Sequence, residues 1–227
     1  MTLSASEEKV KKSYKQLYDL YGESPKALGW DKGKQFLRFH ELTSLWQLKG
    51  SSILDVGCGF GDFIQFLKLR EIDIFRYHGI DLVEEFLIAA RKAHSGPGIT
   101  FRRGELLSLP FGEQFDFCIA SGTFNLQMEG VDGYDYIESN LRKMFDLSRV
   151  GIAADFLTDR VDYKHPHNFN SSPEKILSIA YSLSRRVVLR NDYFPFEFAV
   201  VIYKDDTFRK ENTLFSSVAT ELSGFIN

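Results

Sequence analysis

The feature that most constrains this sequence is an apolar run that ends in three glycines at alternate positions. Residues 52–56 have the composition of a buried strand, and Gly57, Gly59 and Gly61 follow. Glycine lets the backbone turn tightly and leaves room for a ligand, because it has no Cβ. A helix predicted over 60–70 would direct its unpaired N–H groups and the positive end of its dipole toward that ligand. The segment therefore predicts a ligand-binding turn between a strand and a helix.

A dinucleotide-binding loop is the main alternative, because its fingerprint G-x-G-x-x-G also joins a strand to a helix. Here the third position of that fingerprint is Asp62, and the glycine lies one residue earlier, at Gly61. An acidic residue, Asp55, also precedes the first glycine by two positions. This arrangement resembles motif I of the class I S-adenosylmethionine (SAM)-dependent methyltransferases. The resemblance implies that Asp55 helps to hold the ammonium of the cofactor, while the glycine loop admits its backbone-like portion.

The order of apolar segments predicts alternating strands and helices, and hence a mostly parallel sheet. After the strand at 52–56, further strands are expected at 75–81, 99–103, 115–121, 150–156, 186–190 and 196–203. This order is similar to the methyltransferase fold over about residues 50–204. The resemblance implies an α/β, Rossmann-like sheet of seven strands that is mostly parallel and has an antiparallel terminal hairpin strand.

The resemblance divides the chain into three segments. Residues 1–49 are expected to form an N-terminal helical cap or lid, 50–204 the SAM-binding core, and 205–227 a C-terminal extension with a short helix. In related enzymes such a cap folds over the cofactor, and Tyr14, Tyr18, Tyr21 and Trp30 are the aromatic residues that can take this role here. Simple packing of the first helix onto the core explains the same residues.

Composition narrows the class of protein and its partners. A formal charge of −3 with 44% hydrophobic residues indicates a globular chain without the basic face that nucleic-acid binding needs. Cys58 and Cys118 are the two cysteines and do not suggest a disulfide framework. The first sixteen residues lack the apolar core of a signal peptide, and 194–203 is too short for a membrane span. We therefore expect a cytoplasmic protein with no nucleic-acid or membrane partner, as a monomer or homodimer.

Two acidic residues at predicted strand ends carry the cofactor assignment further. Asp81 ends the strand at 75–81, where a family carboxylate accepts both ribose hydroxyls, although a helix N-cap is the alternative. Glu105 stands where the family usually has aspartate, which accepts from the adenine amino group. The resemblance thus assigns the cofactor to Asp55, Gly57, Cys58, Gly59, Gly61, Asp81, Leu82, Glu105, Leu106, Ser121 and Tyr18. Lys34 and Arg38 can reach the methionyl carboxylate, and a solvated helix face explains them equally.

The acceptor side is less constrained by the sequence. Residues 123–126 lack the Asn/Asp-Pro-Pro-aromatic motif of enzymes that methylate exocyclic amines of bases, which argues against a nucleobase acceptor. In the loop after the strand at 150–156, a histidine with a near-neutral pKa can act as a general base, and a metal site is a weaker alternative. The candidates for catalysis and acceptor binding are His165, His167, Asn125 and Tyr14.

The sequence therefore predicts an enzyme that moves the methyl group of SAM to an oxygen or nitrogen of a small-molecule acceptor. The transfer is an in-line displacement that requires a well-oriented nucleophile. Three alternatives stay open: a methyltransferase for protein or RNA, a protein that binds SAM without transferring its methyl group, and an NAD-binding module.

Overall fold

A computed structural model describes residues 3–29 and 34–221, which form one sheet flanked by helices. The strands are β1 Ser52–Val56, β2 Arg76–Asp81, β3 Ile99–Arg103, β4 Phe115–Ala120, β5 Ser148–Leu157, β6 Val187–Arg190 and β7 Glu197–Tyr203. The helices are α1 Leu3–Tyr21, α2 Gln35–Thr43, α3 Asp62–Leu69, α4 Glu84–Ala93, α5 Gly133–Leu147, α6 Pro173–Leu183 and α7 Ser216–Glu221, with a 3-10 helix at Pro25–Leu28.

The seven strands lie in the order β3-β2-β1-β4-β5-β7-β6. Strand β7 is antiparallel to both of its neighbours, β5 and β6, so the other six strands run parallel to one another. The predicted Rossmann-like fold class, with its antiparallel hairpin strand, is confirmed. Because the parallel strands all end at one edge, the loops after β1, β2, β3 and β4 converge there.

Strand β1 is buried along its whole length because helices cover both faces of the sheet. Leu54 and Val56 pack into the larger core cluster, on the side of α5 and α6. Ile53 belongs to a second cluster on the opposite face, which includes residues of α2 and α3. This two-sided burial explains why the sequence of β1 is a nearly continuous apolar run with a single carboxylate, Asp55.

Helix α3 begins two residues later than the sequence indicates. Gly61 has a φ of 77° and stands at the N-cap of α3, so the backbone leaves the left-handed region only at Asp62. Helix α7 is confined to Ser216–Glu221 within the described part of the extension. The remainder of that predicted extension, 222–227, and the proposed lid residue Trp30 lie outside the described residues.

The N-terminal cap packs over the glycine loop. Tyr18 of α1 contacts the rings of Phe60 and Phe86, with centroid separations of 6.2 and 5.9 Å. Below it, Leu28 Cδ2 lies 3.0 Å from the point where a Cβ on Gly59 would stand. The cap therefore covers the turn that the sequence predicted as ligand-binding, and a side chain larger than hydrogen at Gly59 would push against it.

Both cysteines are buried and unpaired. Within 3–29 and 34–221, no helix combines the length and the apolar character that crossing a membrane requires.

Candidate active site

A cleft opens at the carboxyl ends of the central strands, beneath α1. Its empty volume is about 1110 Å³ with the adjoining open solvent included. Ligands of open α/β sheets bind at this edge. Nine of the predicted site residues line it: Tyr14, Gly57, Cys58, Gly59, Asp81, Leu82, Glu105, Leu106 and Ser121.

The glycine loop is fastened to the end of β2. The backbone N–H groups of Gly57 and Cys58 both donate to the carbonyl oxygen of Ile80, at 2.9 and 3.0 Å. Gly57 has a φ of 71°, and a Cβ there would stand 2.5 Å from Thr123 Oγ1. Only glycine fits this position, because any side chain would be strained in φ and would collide with Thr123.

Asp81 holds the loop from the other side. Its Oδ2 accepts the N–H of Gly59 and its Oδ1 accepts the N–H of Val83, both at 2.9 Å. Helix α4 begins at Glu84 without a side-chain cap, so Asp81 does not act as its N-cap. Burial raises the pKa of Asp81, while hydrogen bonds from backbone N–H groups oppose the rise. Each carboxylate oxygen keeps lone-pair capacity for a further donor from the cleft.

Glu105 presents an unused acceptor to the same cleft. Its side chain is 8% exposed, and its Oε2 accepts the hydroxyl of Ser108 at 2.9 Å. Its Oε1 is buried and has no hydrogen-bond partner. A buried acceptor without a donor costs roughly 1–3 kcal/mol, which a donor from a bound ligand would offset. The structure thus shows an oxygen at the end of β3 that fits an amino group.

Asp155 of β5 fixes the loop that follows β4, and the sequence reasoning missed it. Its Oδ2 accepts the hydroxyl of Ser121 and its Oδ1 accepts the N–H of Gly122, both at 2.7 Å. Burial raises the pKa of Asp155 to about 6, against the opposing charge of Arg38. A carboxylate inside the apolar run Ala153-Ala154-Asp155-Phe156 is the sequence signal that could have identified it.

Some predicted cofactor residues lie behind the cleft wall rather than in it. Asp55 is 3% exposed, and its Oδ2 accepts the hydroxyl of Tyr77 at 2.6 Å. Burial, with the nearby charges of Asp81 and Asp62, raises the pKa of Asp55 to about 7. Gly61 packs against His94 and Phe101. These residues, like Tyr18, are not part of the lining.

Arg38 and Lys34, the two basic residues proposed for the methionyl carboxylate, contact other partners in the structure. Arg38 is 4% exposed and makes a two-pronged ion pair with Glu197 of β7, with both N–O distances at 2.5 Å. Lys34 lies over the ring of Phe194, 4.5 Å from its centroid. Neither residue lines the cleft, and Arg38 joins α2 to the sheet instead.

The loop between β5 and α6 that carries His165 and His167, the histidine loop, lies beside the cleft, and its histidine side chains point outside. His165 and His167 are exposed and do not line the cleft. The backbone of this loop nevertheless pairs with the cleft wall, because Gln127 N–H donates to the carbonyl of His167 at 2.9 Å. In the described ranges, no group of three or more His, Cys, Asp or Glu side chains is arranged to hold a metal ion.

Asn125 and Phe169 also join the segment after β4 to the histidine loop. The Asn125 Oδ1 accepts the N–H of Leu157 at 2.8 Å, and its carbonyl accepts the N–H of Phe169 at 3.0 Å. Asn125 is buried and is not part of the lining, whereas Phe169 is. These hydrogen bonds could not be predicted from the sequence, because they depend on how two distant loops pair.

Comparisons with known proteins agree with this architecture. A family model described as a methyltransferase domain matches residues 53–143. A Mycobacterium tuberculosis protein, Rv1506c, itself only provisionally called a methyltransferase, is 27% identical over 158 residues, which are 67% of this chain and 93% of that protein. The phthiotriol/phenolphthiotriol dimycocerosates methyltransferase of Mycobacterium leprae is 35% identical over 82 residues, but these are only 36% of this chain and 30% of that protein.

The structure of magnesium protoporphyrin IX methyltransferase from Synechocystis PCC 6803 with bound SAM has a TM-score of 0.62 at 14% identity. The likeness covers 88% of this chain and 97% of that one. The sheet order defines a Rossmann-like fold, and the cleft lies at the carboxyl ends of its central strands. Over residues 53–143 the chain is similar to the methyltransferase-domain family, and its fold is similar to that of a methyltransferase of known structure with bound SAM.

Proposed function

We propose that this enzyme transfers the methyl group of SAM to an oxygen or nitrogen atom of a small-molecule acceptor. The observation that carries the proposal is the pairing of Asp81 and Glu105 in one cleft. Asp81 ends β2, and Glu105 follows β3, its hydrogen-bonded neighbour. Two carboxylates that accept hydrogen bonds at adjacent strand ends suit the ribose hydroxyls and the adenine amino group of one nucleoside.

The glycine loop would receive the amino-acid end of the cofactor. Gly57 and Gly59 bring bare backbone to the cleft surface, where a Cβ would occupy the space. Asp55 lies behind this loop, so we assign to it an indirect role in which the ammonium of the bound cofactor would favour its charged form, rather than a direct contact. When bound, the cofactor supplies a methyl group on a sulfonium, which is activated toward displacement.

The residues after β4 would orient the acceptor. The loop from Ser121 to Thr123 is held by Asp155 and by the bond from Thr123 Oγ1 to the carbonyl of Val56, at 2.8 Å. A fixed wall of this kind holds a nucleophile in line, which is the main contribution an enzyme makes to such a transfer. Tyr14 lines the cleft beside Asp81 and closes it from above.

His165 and His167 stay predictions as general bases. Their loop is tied to the cleft wall, but their side chains lie in solvent. An amine acceptor with a favourable pKa is already neutral in part, loses its proton to water after methylation, and needs orientation only. Loss of kcat by about a hundredfold or more in His165→Ala or His167→Ala, the low end of general-base effects, would support the histidine assignment.

A small-molecule acceptor is favoured over protein or RNA for two reasons. The formal charge of −3 does not suggest the basic footprint that a polyanion needs. Two relatives are named for phthiotriol/phenolphthiotriol dimycocerosates and for magnesium protoporphyrin IX, neither of which is a protein or an RNA. We expect the enzyme to work as a monomer or homodimer in the cytoplasm.

The test is the mass balance of transfer from SAM labelled in its methyl group, with hydroxyl, carboxyl and amine acceptors offered in parallel. The proposal expects labelled product and S-adenosylhomocysteine (SAH) in equal amounts. The matched variants are Gly57→Ala, which should abolish turnover, and Gly112→Ala, where a Cβ meets nothing within 4 Å. SAH binding without turnover of any acceptor would favour a SAM-binding protein that does not transfer.

A further inference from the structure

The cleft extends beyond the residues that the cofactor would occupy. Past Thr123 it is lined by side chains of the loop after β4, of α5 and of the histidine loop. The members of this acceptor end that matter here are Phe124, Leu126, Met128, Ile137 and Phe169. Of the described residues that line this end, none carries a charge.

The amide side chain of Asn140 at this end is committed in part to its own helix. Asn140 is 1% exposed, and its Nδ2 donates to the carbonyl of Tyr136, one turn earlier on α5, at 2.9 Å. A sugar or nucleotide here would leave most of its hydroxyls without partners, and an unpaired buried polar group is costly. An apolar body would instead gain by leaving water.

Phe169 closes the acceptor end and is held from three directions. A Cβ on Gly133 would stand 2.3 Å from Phe169 Cε2, so the ring lies directly on the start of α5. Tyr134 meets the same ring edge-on, with centroids 5.2 Å apart. The backbone N–H of Phe169 is bonded to Asn125. The ring is therefore a fixed wall whose position depends on the absence of a side chain at residue 133.

We propose that the acceptor carries its methylated oxygen or nitrogen on an apolar body, an aromatic ring or a hydrocarbon chain, and that Phe169 seated on Gly133 limits the size of that body. This inference rests on the proposed function, because the same cleft must hold the cofactor. It names Leu126, Gly133 and Phe169 as determinants of acceptor specificity.

The test titrates three probes into the full chain, with and without SAH: 4-pentylphenol, octylamine and glucosamine. The two apolar probes are expected to bind and glucosamine is not. Leu126→Asp places a carboxylate in the apolar end of the cleft. It should weaken the binding of both apolar probes by about tenfold or more, while SAH affinity is unchanged.

Gly133→Ala is the second variant and keeps the fold. Residue 133 is the first of α5, it has no left-handed φ, and alanine is the better helix former. The added methyl must displace Phe169, so apolar-probe affinity should change by about threefold or more, as for a methylene-sized alteration of an apolar pocket. Gly112→Ala, with no neighbour within 4 Å, should change nothing.

Three results would overturn the inference while SAH still binds: glucosamine binding as well as the apolar probes, neither apolar probe binding, or apolar-probe affinity insensitive to both variants. Failure of the wild-type chain to bind SAH is a separate result, because it contradicts the proposed function itself.

Discussion

The carboxylate of Asp81 accepts the backbone N–H of Gly59 at 2.9 Å, across 22 positions of the chain. This bond joins the end of β2 to the turn after β1, so the residue expected to bind ribose also shapes the loop expected to bind the amino-acid end. Removal of the Asp81 carboxylate should therefore disturb both parts of the cofactor site at once.

Glu105 should decide which base the enzyme accepts. Its unpartnered Oε1 needs a donor, and adenine offers an amino group where hypoxanthine has a carbonyl oxygen. We expect the wild-type chain to prefer SAH over S-inosylhomocysteine by about tenfold or more, because a mismatched pair leaves a buried acceptor unpaired. Glu105→Ala should remove the preference, measured as the ratio of the two dissociation constants. Glu113→Ala, an exposed glutamate paired with Arg76, is the control, and an unchanged ratio in Glu105→Ala would refute the adenine assignment.

Tyr18 should control how firmly the N-terminal cap stays closed. Its ring contacts Phe60 and Phe86, and such aromatic contacts are worth roughly 1 kcal/mol each. Tyr18→Ala should therefore speed proteolytic cleavage of α1 by about tenfold, since 1.4 kcal/mol is a factor of ten in the opening equilibrium. Limited proteolysis followed by mass spectrometry measures this. Tyr21→Ala, at a 48% exposed position of the same helix, should be cleaved at the wild-type rate. Equal rates in all three proteins would mean that these ring contacts do not hold the cap.

Asp55 should make stability fall as the pH rises. Its pKa is raised from an ordinary 3.8 to about 7 in the folded chain, by burial first and then by Asp81 and Asp62. Between these values the folded state keeps a proton that the unfolded state has released. The stabilisation is therefore complete below about pH 4 and is lost as the pH passes 7.

The variant Asp55→Asn cannot ionise and still offers an oxygen to the Tyr77 hydroxyl. We expect it to be more stable than the wild type at pH 8, by up to about 4 kcal/mol, and to lose less stability between pH 4 and pH 8. Urea unfolding at both pH values measures the difference. In the variant a smaller dependence of stability on pH is still expected from Asp155, whose pKa is raised to about 6. A variant less stable than the wild type at pH 8 would count against this account.

The sequence predicted the fold well because strand and helix periodicities are local properties. The strands β1 and β3 have the predicted bounds, and the glycine spacing located the cleft. The start of α3 differs from the predicted one because Gly61 at its N-cap has a left-handed φ, which composition alone does not reveal.

The acceptor side was predicted less well, because it depends on contacts between distant segments. Phe169 meets Gly133, and Asp155 meets Ser121, only after the sheet has formed. Asp155 is a single carboxylate in an apolar strand, and its partners come from a different strand end. The histidines drew attention by their chemistry, but their loop contributes Phe169 to the cleft rather than an imidazole.

The most direct test of the central claim is calorimetric titration of the wild-type chain, Asp81→Ala and Asp73→Ala with SAM, SAH and NAD. Asp73 is an exposed aspartate on the loop before β2 and serves as the matched control. The account predicts binding of SAM and SAH but not of NAD, loss of that binding by about tenfold or more in Asp81→Ala through the broken charge-assisted bonds, and no change in Asp73→Ala. Preference for NAD, or SAH binding indifferent to Asp81, would contradict it.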